Sequence, residues 1–523
     1  MKMKFNLILS VLIVAMLSAM DLSAQNQNES KHSQTPVHPD TTLTHPQKSV
    51  TTGMVTVEGK RIDYKAVAGT LVLKNKKEEP TCSMFYVAYF KSDESNSANR
   101  PVTFIYNGGP GSASVWLHLG AWGPKRVDAA DTARTAAPYS LVNNDYSLLD
   151  ASDLVFIDAP GTGYSQLIGK DKGGAGDPKD FYGIDQDGHA FASFITQFLT
   201  TFNRWNSPKY LFGESYGTFR SAVVAYYLGE NHGIDLNGVI MLSQILNYDN
   251  VSGMAALNPG NEIAHQLVLP SMTATAWYHH KLPNQPEKLE PLLRKVEDFA
   301  LGDFALALSK GVTIDSATFN QTAEKLYEYT GLPVDYIKKA NLRVTGPGFE
   351  KNLLAKEDKV TGRLDTRFSA YMVDPLSKRP AFDPMNKAIG GIYIATANTY
   401  LHSTLKFRED VPYQPFGDGI GRKWDSRHQA PGSGRKIFPN VMPDLARAMI
   451  YNPKMKVMLN MGYFDLATPY FEGVYEMRHL PMPAALQKNI SYHYYMSGHM
   501  VYLNIPSLKE LHDNTAKFIQ DTH

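Results

Sequence analysis

Five short apolar runs constrain the fold of this 523-residue chain more than any other feature of its sequence. They lie at 102–106, 153–158, 210–212, 239–242 and 456–459, and apolar and polar residues do not alternate within them. Such runs are typical of central strands in a sheet that helices cover on both faces. Helical stretches such as 189–202 separate them. The pattern predicts an α/β fold with a mostly parallel central sheet, whose functional loops follow the carboxyl ends of the strands.

The N-terminus has the pattern of an export signal. Lys2 and Lys4 precede an apolar stretch at 5–17, and small residues follow as far as Ala24. We therefore expect residues 1–24 to be a cleaved signal peptide, with a membrane anchor as the alternative. Residues 25–50 are rich in Gln, Ser, Thr, His and Pro, which predicts a disordered linker.

The remaining sequence divides into a core and an insert. Residues 51–249 begin with short predicted strands at 54–57, 60–64, 69–73 and 83–90, which open the fold in antiparallel fashion, and four of the apolar runs follow. Between 250 and 389 the sequence predicts no central strand, and it shows helical patterns instead, at 287–299, 318–330 and 334–340. We interpret 250–389 as an inserted helical cap, with an unrelated helical domain as the alternative. Residues 390–523 then supply the second part of the core.

Composition excludes several classes of protein. The formal net charge is only +1, so nothing favours nucleic acid as a partner. Cys82 is the only cysteine, which rules out an intrachain disulfide, and its apolar surroundings indicate a buried structural thiol. His279 and His280 are adjacent rather than spaced along a helix face, and no other group resembles a metal site. The expectation is an enzyme without metal or cofactor.

The segment Gly213-Glu214-Ser215-Tyr216-Gly217 is the only G-x-S-x-G in the chain, and it lies between a predicted strand and a predicted helix. A sharp turn at this place lifts a serine hydroxyl above the sheet, and small flanking residues tolerate the crowded backbone. The next amide, at the start of the helix, points to where an oxyanion would form. The motif predicts Ser215 as a nucleophile.

A serine nucleophile needs a base, and the base needs an acid to orient it. Asp465 lies in a loop after the strand at 456–459, and His499 follows the apolar and aromatic run at 490–496. The order Ser, Asp, His is that of the α/β-hydrolase fold. Each residue alone also fits a structural role, as a turn aspartate or one of 16 histidines.

A second glycine cluster, Asn107-Gly108-Gly109-Pro110-Gly111, ends the first core strand. Consecutive glycines let backbone amides approach a reacting carbonyl and supply the other oxyanion donor. A nucleotide-binding loop is the competing interpretation, but G-x-G-x-x-G and the P-loop lysine are both absent from this segment.

Together, these motifs resemble those of the serine carboxypeptidase family. The resemblance runs from about residue 55 to the end of the chain. It rests on four segments in the family's order: Asn107 to Gly111, the Asp-x-Pro loop with its Gly-Tyr-Ser ending at 155–165, the Gly-Glu-Ser-Tyr elbow at 213–216, and Gly498-His499-Met500-Val501.

The resemblance implies specific roles for seven residues. Ser215, Asp465 and His499 would form the catalytic triad, and the amides of Gly109 and Tyr216 would form the oxyanion hole. Asn107 and Glu214 would bind the C-terminal carboxylate of a peptide. Family members remove single residues from peptide C-termini, usually best at acidic pH, because a carboxylic acid can donate a hydrogen bond to a carboxylate only while protonated.

The chain departs from the family at the partner of that acid. The family pairs it with an upstream glutamate, and an ungapped alignment puts Ala121 at this position. Either the proton on Glu214 is held less firmly or a neighbour substitutes. One hypothesis is that His118, three residues earlier, binds the substrate carboxylate directly; a structural His118 is the alternative.

The sequence thus predicts an exported serine carboxypeptidase that acts on peptides with a free C-terminus. The missing disulfides, and Ser112 where many relatives have cysteine, favour a bacterial, periplasmic or secreted protein with no membrane insertion after signal cleavage. Two alternatives stay open: an esterase or acyltransferase on the same scaffold, and a catalytically silent peptide-binding protein.

Overall fold

The computed structural model of this protein describes residues 42–92, 99–437 and 439–523. The predicted signal peptide at 1–24 lies outside the described residues, as do residues 25–41 of the predicted linker.

The central sheet has ten strands, in the order β1-β2-β3-β7-β4-β9-β10-β13-β14, with β8 paired to β3. The three pairs from β1 to β7 in this order are antiparallel, and all pairs from β7 to β14 are parallel. Two hairpins lie outside it, β5–β6 and β11–β12. The strand bounds are β1 Lys48–Val57, β2 Lys60–Lys74, β3 Pro80–Lys91, β4 Val102–Tyr106, β5 Lys125–Val127, β6 Leu141–Asn143, β7 Asp153–Ile157, β8 Gln166–Leu167, β9 Lys209–Glu214, β10 Gly238–Leu242, β11 Lys359–Thr361, β12 Ser369–Tyr371, β13 Lys456–Gly462 and β14 Ile490–Tyr495.

The central strands are buried on both faces, which explains their unalternating sequences. Every residue of β4, β7 and β10 is buried. Successive side chains point to opposite faces of a sheet, and here Phe104 and Ile105 pack into two separate hydrophobic cores. Cys82 is fully buried in β3, and this burial raises the pKa of its thiol. Both features agree with a structural rather than a reactive cysteine. The prediction of a mostly parallel sheet in an α/β fold is confirmed.

Helices cover both faces of the sheet. α2, α3, α12 and α13 pack into one core, and α10 and α14 pack into the other. No helix within the described ranges is both long and apolar enough to cross a lipid bilayer. The helix bounds are α1 Val115–Leu117, α2 Ile184–Thr201, α3 Tyr216–His232, α4 Ile263–Tyr278, α5 Leu289–Leu301, α6 Asp303–Ser309, α7 Ser316–Thr330, α8 Val334–Lys339, α9 Gly346–Asn352, α10 Pro384–Thr399, α11 Ile420–Lys423, α12 Met442–Tyr451, α13 Tyr470–Arg478 and α14 Ile505–Thr522.

A long segment joins β10 to β13, although these strands are neighbours in the sheet. None of its described residues, 243–437 and 439–455, lies in a strand of the central sheet. It contains α4 to α12 and the small β11–β12 hairpin. The helices that the sequence predicts at 287–299, 318–330 and 334–340 occur as α5, α7 and α8.

Two sequence predictions about the beginning of the fold are wrong. Lys48, Ser49 and Val50, assigned to the linker, lie in β1, where Lys48 pairs with Gly69 of β2. β1 is an edge strand whose first seven side chains are exposed or half-buried, so it carries no apolar signal. The predicted strands 60–64 and 69–73 are one continuous strand, β2, because its residues 60–69 pair with β1 and its residues 64–74 pair with β3.

Candidate active site

Ser215 occupies the turn between β9 and α3. Its backbone has φ +60° and ψ −130°, which is strained for a residue with a side chain. A Cβ at Gly213 would lie 2.3 Å from the carbonyl oxygen of Gly217, so only glycine fits before this turn. The amide of Ser215 donates to the carbonyl of Leu242 at 3.0 Å, which ties the turn to the neighbouring β10. These features are those of a nucleophile elbow at the carboxyl edge of the sheet.

The loops after β13 and β14 bring Asp465 and His499 together. Oδ2 of Asp465 lies 2.7 Å from Nδ1 of His499, and both side chains are buried. Oδ1 of Asp465 accepts hydrogen bonds from the amides of Ala467 (2.7 Å) and Thr468 (3.0 Å), which fix the carboxylate. This arrangement assigns the proton of a neutral His499 to Nδ1 and leaves Nε2 as the base.

The electrostatic surroundings of His499 favour its charged form. Burial opposes a charge on the imidazole, but the adjacent Asp465 outweighs it, so the pKa of His499 is raised above its ordinary value. Glu214 acts in the same direction as Asp465, whereas the cation of Arg363 acts against it. An imidazole that is stabilised as imidazolium can hold a proton taken from a hydroxyl.

A cavity of about 340 Å³ connects most of the predicted residues. Ser215 and His499 line it together with Asn107, Gly109, Glu214 and Tyr216. Asp465 lies behind His499 and reaches the cavity through it. The sequence-predicted residues therefore converge on one place.

The glycine loop after β4 approaches the beginning of α3. A Cβ at Gly108 would lie 2.5 Å from the amide nitrogen of Tyr216, so this position tolerates only glycine. The next residue, Gly109, has φ +111°, a conformation that side chains rarely adopt. Tyr216 is the first residue of α3, so its amide has no helical partner. Two amides near Ser215 can thus serve an oxyanion.

A buried ion pair between α2 and α3 holds the first residue of this glycine loop in place. Arg220 of α3 contacts Asp187 of α2 at 2.7 Å, and both side chains are almost completely buried. The same guanidinium donates to the backbone carbonyl of Asn107 at 2.7 Å. Oδ1 of Asn107 accepts the amide of Leu117 at 3.0 Å. Arg220 was not predicted from the sequence, because an arginine inside a helix gives no local signal of such a contact.

Glu214 presents a carboxylic acid to the cavity next to Ser215. It is 4% exposed, and its Oε2 has no hydrogen-bond partner among the described residues. Burial raises the pKa of Glu214 to about 7, against the opposing influence of His499, Tyr502 and Asn107. The side chain is therefore largely protonated below neutral pH and can donate a hydrogen bond.

Tyrosines, rather than a second acid, surround Glu214. Rings of Tyr393 and Tyr502 pack over Gly120, where a Cβ would lie 2.3 Å from the Tyr393 hydroxyl and 2.5 Å from a ring carbon of Tyr502. Both phenols are buried without a hydrogen-bond partner in the described part of the chain. Ala121 is itself fully buried and offers only its carbonyl, to Asn144.

The hypothesis that His118 binds the substrate carboxylate is wrong. His118 does not line the cavity; its Nε2 bonds the hydroxyl of Tyr89 at 2.7 Å, and its ring stacks on Phe156 at 4.4 Å. Burial lowers the pKa of His118 to about 3, so it is neutral and structural. The segment turns as one π-helical turn, His118–Trp122, which directs the ring into the core.

The long segment between β10 and β13 also contributes cavity residues that were not predicted from the sequence. Arg363, Leu364 and Asn386 line the cavity, and so does Phe416, which is 58% exposed. Thr468 was missed as well: its hydroxyl lies 2.7 Å from Oδ2 of Asp465 and 3.2 Å from Nδ1 of His499. These residues carry no motif.

Comparisons with known proteins find similarity over part of the chain. The family model for serine carboxypeptidases matches residues 58–299, just under half of the chain. The pheromone-processing carboxypeptidase KEX1 of Saccharomyces cerevisiae is 30% identical over 134 residues, which are 25% of this chain and 17% of that protein. The chain therefore spans less than a fifth of the length of this curated relative.

A solved structure extends the likeness in fold. The crystal structure of Kex1(delta)p, a prohormone-processing carboxypeptidase from Saccharomyces cerevisiae, aligns with a TM-score of 0.54 at 16% identity. The alignment covers 88% of this chain and 92% of that chain. The chain is therefore similar to serine carboxypeptidases over residues 58–299, and it shares an α/β-hydrolase fold with this solved structure.

Proposed function

We propose that this protein is a serine carboxypeptidase that hydrolyses C-terminal peptide bonds through an acyl-enzyme on Ser215. The observation that carries the proposal is the combination of two features in one cavity. A strained serine lines the same cavity as a histidine that is bonded to a buried aspartate at 2.7 Å. Beside this serine, Glu214 has a pKa raised by burial to about 7.

The chemistry follows from these positions. Nε2 of His499 takes the proton of the Ser215 hydroxyl as its oxygen attacks the scissile carbonyl. The amides of Gly109 and Tyr216 donate to the oxyanion of the tetrahedral intermediate. His499 then protonates the leaving amine, and a water molecule, activated by the same imidazole, releases the acyl group. Asp465 stabilises the imidazolium throughout.

Selection of the terminal residue falls to Asn107 and Glu214. A neutral Glu214 can donate its O–H to the carboxylate of the substrate, and the amide of Asn107 can donate a second hydrogen bond. The nearby Tyr502 hydroxyl is a further donor that the family motif does not include. We propose that Tyr502 takes the place of the missing upstream glutamate as a neighbour of Glu214.

Matched peptides with free and amidated C-termini test the function. We expect the free acid to be shortened stepwise between pH 5 and 7, at a kcat/KM about 100-fold above that of the amide, because hydrogen bonds to charged groups contribute about 1.5–3 kcal/mol each. The measurement is peptide mass against time. Equal cleavage of both peptides, or hydrolysis of simple esters alone, would instead support an esterase or acyltransferase.

We also propose that the protein is exported, to the periplasm or beyond, with residues 1–24 as its signal and residues 250–389 as a cap over the active site. The apolar stretch at 5–17 after two lysines supports the signal. Expression of the full chain in a bacterium should yield a mature protein that begins at Gln25. N-terminal sequencing of the periplasmic fraction checks this, and an intact Met1 there would contradict it.

A further inference from the structure

In the long segment between β10 and β13, one tight loop, residues 362–366, lies at the active site. A single carboxylate holds this loop: Oδ2 of Asp383 accepts the amides of Arg363 (2.7 Å) and Leu364 (3.0 Å). Oδ1 of Asp383 accepts the amide of Asn386 at 2.9 Å and caps α10. Both carboxylate oxygens of Asp383 are thereby used by backbone amides.

The other side of the loop is bonded to the catalytic loops. The carbonyl of Arg363 accepts the amide of Leu466, the residue after Asp465, at 3.0 Å. The carbonyl of Leu364 accepts the amide of His499 at 2.7 Å. Arg363 is therefore fixed by its backbone relative to both members of the acid–base pair, although both lie more than 100 residues away in sequence.

The side chain of Arg363 brings an unpaired positive charge to the cavity. Arg363 is exposed, and it is the only lysine or arginine among the described residues that line the cavity. Its guanidinium makes no hydrogen bond or ion pair with any described residue, whereas that of Arg367, four positions on, contacts Asp365 at 2.6 Å. An arginine that faces a cavity without a partner can bind an anionic group of a ligand.

The described carboxyl groups around Arg363 leave its guanidinium without an ion pair. Glu350 and Glu472 lie within its electrostatic influence, and both are buried. Burial raises the pKa of Glu350 to about 7 and that of Glu472 well above its ordinary value. Both carboxylate oxygens of Asp383 accept backbone amides, and neither contacts the guanidinium of Arg363. Glu214 has a pKa of about 7.

Arg363 and the proposed terminal-carboxylate site lie on opposite sides of Ser215. Asn107 follows β4 and Glu214 is the last residue of β9, while Arg363 is bonded to the loops after β13 and β14. Two strand spacings separate β9 from β13 in the sheet, a distance of about 10 Å. A peptide anchored by its last residue near β4 and β9 therefore extends its preceding residue across Ser215, towards Arg363.

We propose that Arg363 is a specificity-determining residue that binds the side-chain carboxylate of an aspartate or glutamate at the penultimate position of the substrate. The proposal rests on the proposed carboxypeptidase function and names the class of peptide on which it acts. The guanidinium would form a paired, charge-assisted contact with this carboxylate at the mouth of the cavity.

The test compares penultimate Glu with penultimate Gln, in free-acid peptides and in N-acetylated amino-acid nitrophenyl esters that present only the acyl side. We expect the full-length enzyme to prefer Glu by about tenfold or more in kcat/KM, as a charge-assisted hydrogen bond provides. Arg363→Gln should reduce the Glu:Gln ratio to near one, and Arg363→Lys should retain part of it. Arg379→Gln removes an exposed arginine outside the cavity and should keep the ratio of the unmodified enzyme.

Each other outcome has a defined meaning. A ratio near one in the unmodified enzyme, or an equal loss for both substrates in Arg363→Gln at an unchanged thermal midpoint, overturns the proposal. A change confined to the last residue, or to free versus amidated peptides, assigns Arg363 to another carboxylate and also overturns it. Hydrolysis of the esters with the expected ratio, but of no peptide, overturns the carboxypeptidase function and leaves Arg363 as an acyl-side determinant.

Discussion

Replacement of Ser215 by alanine is expected to lower kcat for peptide hydrolysis by about three to six orders of magnitude, because residues that act as one catalytic unit show losses of this size. Without the hydroxyl, the His499–Asp465 pair has no nucleophile to activate. KM should change little, since the cavity and its carboxylate-binding groups remain. The measurement is kcat from product release, together with fluorophosphonate labelling, which should modify Ser215 in the unmodified enzyme and leave the variant unlabelled.

Ser193→Ala provides a matched control. Ser193 is exposed on α2, and its hydroxyl donates to the carbonyl of His189 within the same helix. This variant should keep full turnover and full labelling. If Ser215→Ala retained turnover within tenfold of the unmodified enzyme, or if the label appeared on another serine, the assignment of the nucleophile would be wrong.

The parts of the fold and site that were predictable are those with local signals. β4, β7 and β10 are buried on both faces, so their composition alone identifies them. Ser215 could be located because its turn demands glycines at fixed positions next to it. Asp465 and His499 each follow a strand, and strand ends on one edge of a parallel sheet meet in space.

The parts that were not predictable depend on contacts between distant positions. Arg363 reaches His499 through hydrogen bonds of its loop, and no spacing in the sequence encodes that approach. The neighbours of Glu214 were unpredictable for a similar reason, because Tyr393 and Tyr502 come from segments far along the chain. His118 is not a site residue because a π-helical turn directs its ring into the core, and the sequence around His118 does not predict such a turn.

The protonation of Glu214 should control the selection of free-acid peptides. Its carboxyl has a pKa raised by burial to about 7, so it is neutral and a hydrogen-bond donor below that pH, and an anion that repels a carboxylate above it. The imidazole of His499 changes in the opposite sense, since it must be neutral to act as a base. Hydrolysis of a neutral ester reports His499 alone and should rise with pH, whereas kcat/KM for free-acid peptides should fall above pH 7.

The ratio of these two activities isolates Glu214. Between pH 6 and pH 8.5 we expect this ratio to fall by about tenfold or more in the unmodified enzyme, in line with the loss of one charge-assisted hydrogen bond. Glu214→Gln keeps a donor of similar shape that does not titrate, so its ratio should be nearly constant over the same range. A constant ratio in the unmodified enzyme would separate Glu214 from carboxylate recognition. The same fall in Glu214→Gln would assign the titration to another group facing the cavity, because glutamine carries no proton to lose in this range.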